Sequence, residues 1–118
     1  MPRILIVDDE LDIILLLAAY LSRNGYEIQT AQSKKEFLGL LKLFKPDLVI
    51  LDVMLGEDNG RDICKEIKAA EHKDIPVLLC SAIPEMLDNY EECHANHTLE
   101  KPFELSVLLE TVRKLLSN

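Results

Sequence analysis

The sequence predicts an α/β fold in which a doubly wound, five-stranded parallel sheet carries helices on both faces. Two observations lead to this prediction. Short apolar runs recur along the chain, and a segment long enough for a helix follows each of them. Such alternation requires crossover connections, which favour a parallel sheet covered on both sides. The chain has 118 residues, of which 48% are hydrophobic, so we expect residues 1–118 to form a single domain with a buried core.

The five predicted strands differ in how deeply they should be buried. Three runs are almost continuously aliphatic, as expected for strands buried on both faces of a parallel sheet: ILIV (4–7), DLVILDV (47–53) and PVLLCSA (76–82). The run YEIQTA (26–31) alternates more, which places it nearer an edge. The run HTLEKP (97–102) completes the sheet.

Five helices are predicted after these strands, over residues 11–23, 33–44, 61–71, 84–94 and 104–117. Asn24 and Gly25 end the first helix. Ser33, with Glu36 three residues later, forms a capping box at the start of the second. Asn59 is expected to cap the third. The last helix carries an apolar stripe that should mostly face the core: Leu105, Leu108, Leu109, Val112 and Leu116.

Charge and cysteine content narrow the classes of function. The formal net charge is −8 at pH 7, which argues against direct binding of nucleic acid or of an anionic membrane surface. The three cysteines have no metal-ligand spacing, so we expect reduced thiols in a cytoplasmic protein. We find no signal-peptide pattern at the N-terminus, and no apolar run approaches the roughly 18 residues of a membrane span.

Polar side chains are predicted to gather at one edge of the sheet. Asp8 and Asp9 follow the first strand, Asp52 ends the third, Ser81 the fourth and Lys101 the fifth. The carboxyl ends of parallel strands share one edge, and ligands bind there at a topological switch point. Each aspartate alone is more commonly a helix cap, but the convergence of all five residues favours a functional site.

This set of side chains suits phosphoryl chemistry with a divalent metal. Neighbouring carboxylates ionise together only at a cost unless a cation is present, and Mg²⁺ prefers oxygen ligands. We therefore expect Asp8, Asp9 and Asp52 to bind Mg²⁺, with Mn²⁺ as an alternative. Lys101 can pair with Asp52 at rest and later with a phosphoryl oxygen, to which Ser81 can also donate a hydrogen bond.

Taken together, the motifs resemble the receiver domain of two-component response regulators over the whole chain. ILIVDDE, PDLVILDVML, Gly60 after Asp52, PVLLCSA and KPF occur in the order of that family. The resemblance implies a flavodoxin-like fold, similar to chemotaxis regulators, with strand order 2-1-3-4-5. It also implies a role in a phosphorelay, in which Asp52 accepts a phosphoryl group from a phosphohistidine on a histidine kinase or a histidine phosphotransfer protein.

The resemblance assigns roles to the residues around this phosphoacceptor. Asp9 would bind Mg²⁺ directly, Asp8 largely through water, and Met54 through its backbone carbonyl. Ser81 and Lys101 would contact the phosphoryl group. Phosphorylation would then change the face formed by segment 84–94, the fifth strand and the last helix, and this face would control a downstream protein or a fused output domain.

The sequence departs from the family pattern at the switch. Thr98 stands where receivers usually carry Tyr or Phe, so the usual aromatic partner of Ser81 is replaced. The stretch from Ser81 to Lys101 is slightly shorter than the family pattern and lacks the usual glycine before the fifth strand. Helix 84–94 is therefore expected to be short, shifted or mobile, with a harmless loop deletion as the alternative. The peptide bond between Lys101 and Pro102 is expected to be cis in this family.

Two positions that tune dephosphorylation in receivers are apolar here. Met54 and Ile83 each lie two residues after a site residue and would flank the path of the hydrolytic water. Neither side chain can orient water. We therefore hypothesise that the phosphorylated chain dephosphorylates itself slowly.

The first predicted helix is apolar nearly all round, with Leu15, Ala18 and Ala19 where a surface helix should be polar. We interpret this surface as a contact for the kinase's helical bundle or for a homodimer, with tolerated surface residues as the alternative. A homodimer through the predicted output face is a further alternative.

Other functions were weighed against phosphoryl acceptance. A receiver-shaped scaffold that acts without phosphorylation stays open because of Thr98. A small Mg²⁺-dependent phosphohydrolase would carry a second acid where Met54 stands, and a flavodoxin-type nucleotide binder would need a phosphate loop after the first strand. We expect a regulatory domain, not an enzyme, that catalyses only its own phosphotransfer and slow dephosphorylation.

Overall fold

The computed structural model describes residues 1–117, which form one five-stranded sheet whose neighbouring strands are all parallel. We number its strands β1 to β5: Arg3–Val7, Glu27–Ala31, Leu48–Asp52, Val77–Ser81 and His97–Glu100. The order across the sheet is β2-β1-β3-β4-β5, which confirms the predicted fold class. The winding direction reverses between β1 and β3, so a crevice opens beyond the carboxyl ends of these two strands.

Strand burial follows the sequence pattern. Every residue of β3 and β4 is buried, and so is β1 apart from Arg3, because helices cover both faces of the sheet there. The edge strand β2 is largely half-exposed, with only Ala31 buried. A short antiparallel pair, Met54–Leu55 with Asp58–Asn59, lies beyond β3 outside the main sheet.

Four α-helices cover the sheet: α1 (Leu11–Arg23), α2 (Lys34–Phe44), α3 (Gly60–Ala69) and α4 (Leu105–Leu116). Within residues 1–117, none of them has the length and apolar character needed to span a membrane. The α1/α4 core lies on one face and includes Ile4, Ile14, Leu21, Ile50, Leu108 and Val112. The α2/α3 core lies on the other and includes Leu5, Phe37, Val49, Ile63 and Ile67.

The helix starts follow the predicted capping residues in most details. Ser33 Oγ accepts a hydrogen bond from the Glu36 N–H at 3.2 Å, and Asn59 Oδ1 accepts one from the Arg61 N–H at 2.8 Å. The capping box is shifted by one residue, because Glu36 Oε1 accepts from the N–H of Gln32 at 2.7 Å and not from that of Ser33.

The predicted helix over 84–94 is wrong. The 84–94 segment forms two short 3₁₀ helices, Pro84–Leu87 and Tyr90–Cys93. Asn89 between them has a φ of 52°, in the left-handed region, and this interrupts any continuous α-helix. His94 has a φ of 67° at the position before β5 where the family pattern has glycine, the residue that adopts this conformation without steric cost.

Arg61 of α3 makes several hydrogen bonds to the backbone of the 84–94 segment. The guanidinium of Arg61 donates hydrogen bonds to the carbonyl oxygens of Met86 (2.8 Å), Asp88 (2.6 Å) and Asn89 (2.9 Å). These carbonyls are left without helical partners by the break at Asn89, so the guanidinium takes the place of the missing backbone donors.

Candidate functional site

The predicted polar residues converge at the carboxyl edge of β1, β3, β4 and β5. Asp52 pairs in register with Cys80 on the neighbouring strand, and Ser81 with Glu100. Asp8 follows β1 directly, and its amide donates to the Ala31 carbonyl of β2 at 3.1 Å. Asp8, Asp52 and Ser81 are buried, with 3%, 7% and 0% of their surface exposed. The sheet thus fixes two carboxylates and a hydroxyl at the crevice predicted from topology.

Lys101 lies between two carboxylates. Its Nζ is 2.5 Å from Asp8 Oδ2 and 3.5 Å from Asp52 Oδ2. The expected resting pair of Lys101 with Asp52 is therefore only partly right, because the shorter contact is with Asp8. The position of Asp8 at the end of the central strand brings it closer to the lysine than the sequence indicated. One cation stabilises both buried acids.

The charge state of Asp52 is set mainly by its burial. Desolvation raises its pKa to about 6, and the charge of Asp8 adds to this, whereas the Lys101 ammonium and the Met54 backbone amide act to lower it. Burial lowers the pKa of Lys101, but its hydrogen bond to Asp8 and the charges of both acids outweigh burial and raise that pKa overall. At pH 7.5 Asp52 is mostly ionised and Lys101 is charged.

The carboxylates of Asp8, Asp9 and Glu10 offer oxygen atoms that lie within 4.8 Å of one another. Glu10 occupies the N-cap position of α1, without a side-chain cap hydrogen bond, and its carboxylate also belongs to this cluster. Asp8 Oδ1 accepts from the Glu10 N–H at 2.9 Å, and Asp9 Oδ2 accepts from the Gly56 N–H at 3.1 Å. A donor set made entirely of carboxylate oxygen fits Mg²⁺.

A cavity of about 290 Å³ opens over Asp52, and it is lined by Asp9, Glu10, Asp52, Met54, Ala82 and Lys101. Met54, which lines this cavity, is 50% exposed, and Ile83, which follows the lining residue Ala82, is 38% exposed. Both positions predicted to tune dephosphorylation are therefore apolar and reachable by water.

Ser81 and Thr98 occupy neighbouring strands but differ in environment. Ser81 Oγ accepts a hydrogen bond from the Ile83 N–H at 3.0 Å, which leaves its hydroxyl proton available for another acceptor. Thr98 is half-buried on β5 and pairs in register with Leu79 of β4. The neighbouring His97 is exposed, and its Nδ1 accepts from the Thr98 N–H at 2.9 Å.

Two backbone features shape the edge around Asp52. Gly60 donates its N–H to the Val53 carbonyl at 2.6 Å, and a Cβ at this position would collide with the Asp52 carbonyl oxygen. Only glycine lets α3 begin so close to the end of β3. On the opposite side of the site, the peptide bond between Lys101 and Pro102 is cis, the configuration that the resemblance implies.

An apolar groove adjoins the site along α1. It has a volume of about 380 Å³ and shares Glu10, Ala82 and Lys101 with the cavity over Asp52. Its apolar wall consists of Ile13, Leu16, Leu17, Pro102, Phe103 and Leu105. On the outer side of α1, Leu15 is 58% exposed, Ala19 is exposed and Ala18 is half-buried.

Comparisons with known proteins agree with this architecture. A sequence model of the response regulator receiver domain matches residues 4–113. The DNA-binding dual master transcriptional regulator RpaA of Synechocystis sp. is 36% identical over 119 residues, which cover 98% of this chain and 49% of RpaA. The alkaline phosphatase synthesis transcriptional regulatory protein PhoP of Bacillus subtilis is 35% identical over 116 residues, which cover 97% of this chain and 48% of PhoP.

A solved structure extends the similarity to three dimensions. The crystal structure of the receiver domain of NtrX from Brucella abortus matches with a TM-score of 0.90 at 33% identity, covering 98% of each chain. The chain spans about half the length of the curated relatives it matches. Because the family model covers nearly the whole sequence and the sheet order agrees with it, the chain belongs to the response regulator receiver domain family.

Proposed function

We propose that this chain is a phosphorelay module whose Asp52 carboxylate accepts a phosphoryl group from a phosphohistidine. The observation that carries the proposal is the position of Asp52: a buried, mostly ionised carboxylate at the sheet's switch point, facing a cavity and 3.5 Å from a lysine ammonium. Family membership supplies the phosphorelay context.

The proposed transfer forms an acyl phosphate, which is a mixed anhydride of the Asp52 carboxylic acid and phosphoric acid. An oxygen of the Asp52 carboxylate forms a bond to phosphorus while the bond from phosphorus to the donor's imidazole nitrogen breaks. The electron pair of the broken bond stays on that nitrogen, and the ring leaves as neutral imidazole when its other nitrogen carries the proton. No further acid or base is needed in this chain.

Lys101 and Ser81 would hold the transferred group. The Lys101 ammonium can exchange its contact with Asp8 for a phosphoryl oxygen, because Nζ already lies between the two acids. The Ser81 hydroxyl is buried at the edge and has its proton free to donate. Both movements would draw the chain after Ser81 toward Asp52.

The carboxylates of Asp8 and Asp9 are the groups that would hold Mg²⁺, or Mn²⁺, together with Asp52 and the Met54 carbonyl. Glu10 is close enough to join or replace one of them. When bound, such an ion would neutralise the negative charge that builds up on the phosphoryl oxygens.

Phosphorylation would change the surface formed by the 84–94 segment, β5 and α4. The movement begins at Ser81 and continues through the Ile83 amide that Ser81 binds. Thr98 takes the position of the usual aromatic switch residue, so we propose a readout carried by the 84–94 segment instead. A biased equilibrium between two states suffices for this.

The partners that fit this module are a histidine kinase or histidine phosphotransfer protein upstream and a downstream protein or fused output domain. The apolar groove and the exposed Leu15 of α1 would contact the donor's helices. We propose a cytoplasmic regulatory domain over residues 1–118, consistent with its three free cysteines, and no enzymatic activity beyond its own phosphotransfer and dephosphorylation.

The test is the intact mass of the chain after incubation with acetyl phosphate and Mg²⁺. We expect a gain of one phosphoryl group that Asp52→Asn abolishes and that Asp62→Asn, an exposed control on α3, retains. No gain despite intact Mg²⁺ binding would instead support a scaffold that acts without phosphorylation.

The same samples test the dephosphorylation rate. The apolar Met54 and Ile83 cannot orient a water molecule, so the phosphorylated form should persist for minutes or longer after the phosphodonor is removed. Decay within seconds would contradict slow self-dephosphorylation.

A further inference from the structure

Two of the three cysteines lie on α3 and on the second 3₁₀ helix, which pack against each other. Cys64 belongs to α3 and Cys93 to the second 3₁₀ helix, and both are buried, with 0% and 3% of their surface exposed. They belong to the same α2/α3 core, and all three cysteines are free thiols. Cys80 is buried in the α1/α4 core on the opposite face of the sheet, so the sheet separates it from this pair.

The surroundings of Cys64 keep its thiol protonated in the folded chain. Burial raises the pKa of the Cys64 thiol to about 12, and the neighbouring Cys93 adds to this through its charge and a side-chain hydrogen bond, whereas Lys68 and Arg61 act to lower it. Cys93 Sγ donates to the Tyr90 carbonyl at 3.1 Å. Only the thiolate reacts with disulfides, so Cys64 should be inert while it stays buried.

Local opening of the 84–94 segment would expose the thiol of Cys93. Cys93 is its only buried residue. The backbone hydrogen bonds at the ends of its two 3₁₀ helices include Met86 N–H to Ile83 O at 3.0 Å and His94 N–H to Glu91 O at 3.0 Å. Short 3₁₀ elements with few buried contacts open locally at low free-energy cost. Opening here would expose Cys93 while α3 keeps Cys64 in place.

We propose that Cys64 and Cys93 form a reversible oxidation site, at which a small disulfide of the oxidised-glutathione class converts the two thiols into an intramolecular disulfide. The disulfide would tie the 84–94 segment covalently to α3. It would restrict the segment through which we expect phosphorylation to be read out. The chemistry at the thiols is independent of whether Asp52 is phosphorylated.

The oxidation proceeds by two thiol–disulfide exchanges. The Cys93 thiolate attacks one sulfur of the small disulfide, which forms a mixed disulfide and releases one small thiolate. The Cys64 thiolate then attacks the sulfur of Cys93, forms the intramolecular bond and releases the second small thiolate. The two protons from the cysteines end on the released thiols, and the small disulfide receives both electrons.

The experiment uses the full chain under native conditions with oxidised glutathione, followed by alkylation of free thiols and peptide mapping. We expect a species that has lost two hydrogen atoms, takes up a single alkyl group after unfolding, and yields a peptide linking Cys64 to Cys93. Hydrogen exchange over residues 84–94 should slow in this species.

Matched variants separate the pair from the third thiol. Cys80→Ala should still form the disulfide, and Cys93→Ala should form none. The wild-type peptide map decides the question even where a variant folds poorly. A linkage that involves Cys80, a stable glutathione adduct without ring closure, or three alkylatable thiols after prolonged oxidation would each overturn the proposal.

Discussion

At the scale of single residues, Asp52 faces two opposing demands. Its burial raises its pKa to about 6, yet the proposed reaction requires the ionised form. Lys101 reconciles the two demands. Its positive charge acts to lower the pKa of Asp52 against the effect of burial, while its shorter contact is with Asp8. The carboxylate is therefore ionised at neutral pH but at a cost in stability, which is a common compromise at functional sites.

This cost leads to a prediction for Asp52→Asn. A raised acid pKa contributes stability that is present below the unfolded value of 3.8 and is lost as the pH rises through about 6. Asparagine does not ionise, so the variant should be more stable than the parent chain by about 1 to 3 kcal/mol at pH 7.5. The difference should disappear as the pH falls toward 4.

Urea unfolding at pH 7.5, 5.5 and 4 measures this difference, with a chelator present so that divalent ions do not contribute. Asp62→Asn, which removes an exposed carboxylate from α3, serves as the control and should show no such pH trend. A variant that is equally or less stable than the parent at pH 7.5 would show that burial does not dominate the energetics of Asp52.

The sequence was sufficient to predict which polar residues at strand ends lie close together. Asp8, Asp9, Asp52, Ser81 and Lys101 are tied to strand ends, and parallel topology brings strand ends together. Glu10's place in the carboxylate cluster and Lys101's preference for Asp8 could not be predicted, because both depend on side-chain directions within one turn of the backbone. Arg61 was missed for another reason: its partners are main-chain carbonyls, which leave no mark in the sequence.

At the scale of elements, the 84–94 segment differs most from expectation. The amino acids of this segment are compatible with an α-helix. Only the left-handed backbone conformations of Asn89 and His94 show why no continuous α-helix forms. Apolar periodicity predicts buried helices well because burial stabilises them, but this segment buries only Cys93. The sequence signals that were informative, the shorter connection and the missing glycine, pointed to an irregular element without specifying its form.

We predict that Arg61→Ala loosens this segment. The guanidinium makes three hydrogen bonds to carbonyls, and hydrogen bonds from charged groups contribute about 1.5 to 3 kcal/mol each at most. Because two of the three carbonyls belong to exposed residues that water can satisfy, we expect a total loss of about 1 to 3 kcal/mol. Hydrogen exchange over residues 84–94 should accelerate, by roughly tenfold or more.

Lys65→Ala is the matched control for Arg61→Ala, since Lys65 is an exposed basic residue on the same helix. It should leave hydrogen exchange in the 84–94 segment unchanged. If Arg61→Ala also left exchange there unchanged, the guanidinium would not be what holds this segment. The looser variant should also form the Cys64–Cys93 disulfide faster than the parent chain.

At the scale of the whole molecule, two separate cores lie on the two faces of one sheet. The fold class was predictable because this arrangement repeats one unit, a buried strand followed by a covering helix, and each unit has its own apolar pattern. The positions of exposed apolar residues relative to the site were less predictable. Exposed leucines on α1 and α2 look alike in sequence, and only the structure shows that Leu16 of α1 lines the groove beside the site whereas Leu43 of α2 does not.

We predict that Leu15→Lys slows phosphotransfer from a histidine kinase or phosphotransfer protein that uses this chain. Leu15 is 58% exposed on α1, and a charge placed in an apolar contact surface costs on the order of 1 to 2 kcal/mol of binding, or roughly tenfold. Phosphorylation by acetyl phosphate should be unaffected, because that small donor needs no docking surface.

Leu43→Lys controls for the added charge, since Leu43 is 84% exposed on α2, which covers the opposite face of the sheet. It should not alter transfer from either donor. Light scattering of both variants and the parent distinguishes a donor contact from self-association. A parent dimer that Leu15→Lys converts to a monomer, with transfer unchanged, would assign the α1 surface to a homodimer.

The sheet also separates the apolar groove along α1 from the thiols of Cys64 and Cys93, the two places where we propose that signals act. The apolar groove along α1 belongs to the α1/α4 face, whereas Cys64, Cys93 and the contacts of Arg61 belong to the α2/α3 face. A signal at the groove and a signal at the thiols can therefore arrive simultaneously without steric competition, and they converge only at the carboxyl edge where Asp52 and Ser81 lie. The signal at the groove would add the phosphoryl group to Asp52. The signal at the thiols would decide whether the 84–94 segment can transmit that change to a partner.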